Sequence, residues 1–319
     1  MTAIMTQAIV TDSMERAVAL HEQAVALYQQ GNRQEAEALF HRALRLIVQA
    51  EGSHHPDVAN VLNNLGAIHE DRCEYKLAEA LYARAVEIMR LIESEGDALA
   101  DQEAERLRLQ SLCNLSGVLR IQGGYGAAEP HLLEALEIAE RAFGGDDLEV
   151  AGVLNQLGIL YKFTGRFDEA EPLYHRALAI LETQLGSDHP SVASVYHNLG
   201  GLEHARGCYA KGEPYARRSV AIREQALGAD HPDVAADIAA LAALLDGQGK
   251  YDESEPLYHR ALEIFARVYG PEHYEIAVNL NNLAAIHQAR GDHREAERLY
   301  CRALAIKEKL FGADNIEWR

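Results

Sequence analysis

Seven stretches of the chain line up on one another at an almost fixed spacing, and this constrains the fold more than any other feature. Four are plain: QGNRQEAEALFHRAL from Gln30, TGRFDEAEPLYHRAL from Thr164, QGKYDESEPLYHRAL from Gln248 and RGDHREAERLYCRAL from Arg290. RCEYKLAEALYARAV, QGGYGAAEPHLLEAL and RGCYAKGEPYARRSV are weaker copies in the same frame. Their turn residues are Gly31, Cys73, Gly123, Gly165, Gly207, Gly249 and Gly291, separated by 42, 50, 42, 42, 42 and 42 residues. A unit that recurs in this way is one supersecondary element that cannot bury its apolar face alone and has to stack on its neighbours.

Each copy reads as a helix, a short turn and a second helix. Runs such as VANVLNNLGAIHE precede the turn with apolar residues at helical spacing. Glycine suits the turn because a left-handed backbone costs it little, so Cys73 predicts a tighter or differently shaped turn in the second copy. Between copies come GSHHPDVA, LGSDHPSVA and LGADHPDVA, with proline at the first turn of the next helix. Asp188 or His189, and Asp230 or His231, are positioned as helix caps. Seven residues before each turn residue the side chain is small, and it is small again five and twelve after it. Nine after it the residue is usually large: Phe40, Tyr82, Leu132, Tyr174, Ala216, Tyr258 and Tyr300. Close helix crossings need small residues at the contact, and the large ones fill the space between pairs.

This small–small–large–small pattern resembles the tetratricopeptide repeat. The 42-residue length, the LNNLGAIH-like first helix and the GxDHPxVA linker are similar to the variant found in kinesin light chains, over about residues 15–319. The resemblance implies an all-α, right-handed superhelical solenoid of seven antiparallel helix pairs. It also implies an inner groove, lined mostly by first helices, that receives peptides. The expected repeats run over 15–52, 53–92, 106–144, 147–186, 189–228, 231–270 and 273–312 in one solenoid covering 1–319. No long heptad coiled coil precedes them, which argues against a motor role.

Composition narrows the partners. Forty-nine acidic against 30 basic residues give a net charge of −19, which repels phosphate backbones and anionic lipid. No nucleic acid and no membrane are expected as partners. No apolar run approaches the roughly 20 residues that cross a bilayer, and the first residues lack the basic start of a secretory signal. The four cysteines, Cys73, Cys113, Cys208 and Cys301, are far apart and read as reduced thiols of a cytoplasmic protein. There is no P-loop, GxSxG, HExxH or paired-cysteine spacing. His69 and Cys73 share a helix face but supply only two ligands. Neither catalysis, nor a cofactor, nor a metal site is expected.

Candidate binding residues come from the groove side of the first helices. Three before the turn residue stand Tyr28, Glu70, Arg120, Lys162, His204, Asp246 and Gln288. The central Arg120, Lys162 and His204 are exceptional in so acidic a chain and predict a partner with an acidic or carboxylate-bearing segment. Phe163 and His197 lie nearby. Eight to ten before the turn residue recur Asn63, Asn64, Asn114, Asn155, Asn198, Asn281 and Asn282. An amide both donates and accepts, so it can hold an extended main chain; equally, these asparagines can join neighbouring first helices.

The pattern breaks in two places. An insertion of about eight residues around 93–105 carries Glu93, Glu95, Asp97, Asp101, Glu103 and Glu105 and no basic residue. It reads as a solvated helix extension or loop, or as an acidic flap that selects basic partners. The fifth copy has Gly212 inside its second helix and Ala216 in place of the aromatic. It reads as a loosened joint, or as a pocket left open. After the seventh copy, GADNIEWR begins like another linker. Its Trp318, the only tryptophan, is expected to cover the open end or to pack against a second copy in a homodimer. The function expected is a scaffold or adaptor that holds a peptide or protein segment; the alternative is a regulatory sensor of a small peptide or metabolite that answers by a change in curvature.

Overall fold

The computed structural model describes residues 2–94 and 102–311, with side chains for 11–93 and 102–310. Its regular structure is helical throughout: α1 (Thr2–Gln29), α2 (Arg33–Glu51), α3 (Pro56–Asp71), α4 (Tyr75–Ser94), α5 (Gln102–Ile121), α6 (Tyr125–Phe143), α7 (Leu148–Phe163), α8 (Phe167–Leu185), α9 (Pro190–Ala205), α10 (Tyr209–Leu227), α11 (Pro232–Gly247), α12 (Tyr251–Tyr269), α13 (Tyr274–Ala289) and α14 (His293–Phe311). The fold is an all-α, right-handed solenoid of antiparallel helix pairs, fourteen described helices making seven pairs. The chain divides into two compact units, Met1–Leu160 and Tyr161–Arg319, the division falling inside α7.

Local chemistry sets each boundary. His55, His189, His231 and His273 cap α3, α9, α11 and α13: Nδ1 accepts the backbone N–H of Asp57, Ser191, Asp233 and Glu275 at 3.2–3.3 Å. The histidines, not the neighbouring aspartates, make these caps. Cys73 does not change its turn. It takes φ 60° in the left-handed region that Gly207 takes at 73°, and the same backbone bonds close both turns. A side chain there carries strain of roughly 1 kcal/mol that glycine avoids.

Packing explains the column of small and large residues. Phe40, Tyr82, Tyr174 and Tyr258 are buried at 0–1% exposure. The Tyr82 ring lies against Gly66, where an added Cβ would sit 2.4 Å from Cε1. In the first unit α1, α3 and α5 pair with α2, α4 and α6. In the second, α9, α11 and α13 pair with α10, α12 and α14, and α8 leans on α9. Successive pairs are also tied by a bond from the residue before the turn to a glutamate of the preceding second helix. Arg72 donates to Glu37 at 2.7 Å, Gln122 to Glu79 at 2.8 Å, Arg206 to Glu171 at 2.6 Å and Gln248 to Glu213 at 2.9 Å; Arg290 donates to Glu255 in the same way.

The fifth pair is tight at Gly212, against both readings of the sequence. A Cβ there would meet Leu244 Cδ2 at 2.7 Å, and Glu203 Cβ and the Gly200 carbonyl oxygen at 3.1 Å. Glycine here leaves room for the Leu244 side chain of α11 and for the close approach of the α9 and α10 backbones. The acidic insertion adds one turn to the start of α5 relative to α3, α7, α9, α11 and α13. Two of its described carboxylates are tied down, Glu93 to Arg108 at 2.7 Å and Glu105 to Arg141 at 3.0 Å.

Candidate functional site

The first helices of the first unit present a row of amides. Gln110 and Asn114 of α5 and Gln156 of α7 line a cavity of about 420 Å³ with Arg106, Cys113, Glu149 and Gly152. Gly152 is exposed there and leaves bare backbone on the wall. Burial, and then Glu149, push the Cys113 thiol up to about 12, which keeps it protonated. A second cavity of about 410 Å³ adjoins the first, sharing Arg106 and Gln110 and adding Asp57, Asn60 and Glu103. Arg106 is held in place by Glu149 at 3.1 Å and lies 5.0 Å from the centre of the Phe143 ring.

The predicted asparagines divide between seam and groove. Asn63 is buried and donates to Ser111 Oγ at 2.8 Å, joining α3 to α5. Asn64 Nδ2 lies 3.0 Å from His21 Nε2 and donates to the Asn60 carbonyl at 3.0 Å. Asn114 lines the first cavity, and Asn155 is half-buried on α7. In the second unit Asn198 and Asn282 are half-buried and Asn281 is exposed.

The predicted cations also separate. Arg120 is half-buried at the end of α5, in the first unit. Lys162 and His204 lie in the second. The Lys162 amine sits over Gly201, 3.4 Å from where a Cβ would be, and 5.4 Å from the ring centre of Phe163, which is itself 53% exposed. His204 packs edge-on to Tyr209, ring centres 5.3 Å apart. Desolvation lowers the His204 pKa, Asp246 opposes this and Lys162 adds to it. Burial raises the Asp246 carboxyl, with His204 pulling it back down. Asp246, in the same column, therefore brings a carboxyl beside His204. Trp318 lies outside the described residues.

His197 is half-exposed and held from behind. Its Nδ1–H donates to Asp237 Oδ1 at 2.7 Å. Asp237 is buried and also accepts from Ser219 at 2.6 Å and Arg223 at 2.9 Å. Sequence reasoning missed Asp237, and with it Asn279, Gln110 and Gln156. A signal existed: twelve before the turn residue the chain has Ala or Val, except at Ser111, Asp237 and Asn279. Among the described residues no group of three His, Cys, Asp or Glu is placed to hold a metal ion, and no helix is long and apolar enough to cross a membrane.

Comparison with known proteins gives the same architecture. A crystal structure of BtubC (BKLC) from P. vanneervenii has 23% identity and a TM-score of 0.62, over 76% of this chain and 94% of that one. One of a Podosopora anserina putative kinesin light chain with nearly identical TPR-like repeats has 25% identity and a TM-score of 0.54, over 64% and 97%. The apo form of RapI has 15% identity and a TM-score of 0.69, over 92% and 98%. No curated protein matches. The model of the tetratricopeptide repeat matches residues 15–90, 107–183, 149–207, 191–253 and 234–309, so this chain belongs to the tetratricopeptide repeat family.

Proposed function

We propose that the protein is a non-enzymatic scaffold of the kinesin-light-chain-like kind that holds an extended peptide or protein segment against its first helices. The supporting observation is the amide row of the first unit. Gln110, Asn114 and Gln156 line an open cavity and have no hydrogen-bond partner among the described residues. An amide held on a helix can satisfy both the N–H and the C=O of a main chain. Arg120 in the first unit, and Lys162, His204, Phe163, His197, Asn198, Asn281 and Asn282 in the second, are the other proposed contact residues, and the basic ones favour a segment carrying carboxylates. Well-separated free thiols, Cys73, Cys208 and Cys301 among the exposed ones, suit a reducing cytoplasm.

The test is selection from a displayed library of random linear peptides. Gln110→Ala with Asn114→Ala and Gln156→Ala should abolish enrichment while leaving the melting temperature within about 1 °C per residue changed. Arg120→Glu with Lys162→Glu should remove any preference for acidic peptides. Equal enrichment on wild type and triple variant would defeat the reading.

A further inference from the structure

Two seams between first helices are closed by the same pair of repeat positions. The side chain ten before one turn residue bonds the side chain twelve before the next. Asn63 bonds Ser111 at 2.8 Å, and His197 bonds Asp237 at 2.7 Å. At the seam between α11 and α13 the same two positions hold Ala239 and Asn279. Asn279 is fully buried. Its Nδ2 donates to the Glu275 carbonyl at 2.8 Å, while its Oδ1 has no donor. A buried acceptor left in this state costs roughly 1–3 kcal/mol. Ala239 is only partly buried and stands among Ala236, Ala240 and Ala243, each also partly open to solvent. Moreover, α11 and α13 meet more lightly than α9 and α11.

We infer that this patch of partly exposed alanines receives an Asn or His side chain of the bound segment, whose N–H is donated to Asn279 Oδ1. The chain itself shows which shapes fit, since Asn63 and His197 fill the equivalent place at two other seams. Both are planar N–H donors on a single methylene. The partner thus supplies the group that the repeat omits at Ala239, and the light seam is where the chain can open to admit it. This rests on the peptide-binding reading above and adds which side chain is read, and where.

Two measurements test it. Ala239→Asn should complete the bond internally and raise the melting temperature, whereas Ala239→Val, which fills space without a donor, should not. In the random-peptide selection, wild type should enrich Asn or His at one fixed position by about tenfold. Asn279→Val, a residue this column already carries at Val61, Val153 and Val195, should still select peptides but without that preference. The inference is overturned if Ala239→Asn stabilises no more than Ala239→Val, or if Asn279→Val keeps the Asn/His preference. Peptides selected by wild type with no such preference also overturn it and leave the scaffold reading standing. No selected peptide at all defeats both.

Discussion

The two units meet the same structural requirement, joining one first helix to the next, with opposite chemistry. In the first unit the buried seam joining α3 to α5 is made of neutral groups, Asn63 to Ser111, with Asn64 beside His21 next to it, the Arg106–Glu149 ion pair lying at the exposed rim, and the groove above carries more amides. In the second unit one seam is ionic, with Asp237 buried beneath His197, Arg223 and Ser219, and the groove floor next to it is alanine. A neutral amide is inexpensive to half-bury and can stay exposed on the groove. A buried carboxylate has to spend its hydrogen-bonding capacity inward. The difference teaches that polarity in the groove and polarity in the seam trade against each other in this chain.

The largest effect expected is therefore at Asp237. Asp237→Ala strands the Arg223 guanidinium and should cost about 3–5 kcal/mol in urea unfolding. A loss under 1 kcal/mol would show that the ionic seam is no stronger than the neutral one. Next come two glycines that separate the units in sign. Gly212→Ala forces a Cβ against the Gly200 carbonyl oxygen and should cost about 1–3 kcal/mol despite better helix propensity. Gly126→Ala, in the first unit with nothing within 4 Å, should instead stabilise by about 0.5–1 kcal/mol. Thermal melts of the two variants check this, and equal signs would break the contrast.

Ser111→Ala removes the neutral partner of Asn63 and should cost about 1 kcal/mol, well below Asp237→Ala. The smallest effect is pH-dependent. Lys250, then Gln248 and Arg217, hold the Glu213 carboxyl down to about 2 against burial. A carboxyl lowered on folding stabilises above its unfolded value of 4.5, and that stability is lost as pH falls towards about 2. Glu213→Gln should thus lower stability by about 1 kcal/mol near neutrality, a modest figure for a bridge at the surface. The gap should close on acidification. A gap that widens with acid would reverse the sign of this bridge.

Much of the fold was legible because it is written seven times. A turn glycine, a small residue or an aromatic means little alone, but the same residue type in register across copies reports a shared contact. What repetition could not show lies in single departures. Cys73 looked like a broken turn because its residue type changed, yet the flanking backbone bonds impose the same left-handed geometry. Gly212 looked like slack because helix propensity is local, whereas the approach of α9 to α10 is not. Asn63 and Asn64 looked alike in sequence. They stand about 100° apart on one helix, which sends the first into the α5 seam and the second towards α1. Asp237 stayed hidden because Arg223, which compensates it, reaches across from α10.

The link from the residue before five of the turns to a glutamate of the preceding pair has a consequence for how such a chain can change length. Arg72, Gln122, Arg206, Gln248 and Arg290 all address one kind of acceptor, so the connectors are interchangeable. Excising the 42 residues from Cys208 to Gly249 would bring Lys250 next to Gly207, directly behind Arg206, which already serves Glu171. The next donor in line, Arg290, would then meet Glu255 as before. The deletion takes Glu213 from Lys250 and Asp230 from Arg267, and in the shortened chain Glu171 and Asp188 stand at the same repeat positions to replace them. Whole modules can therefore be lost or gained by recombination without a compensating mutation at the junction, which leaves the groove residues as the part of each module free to diverge.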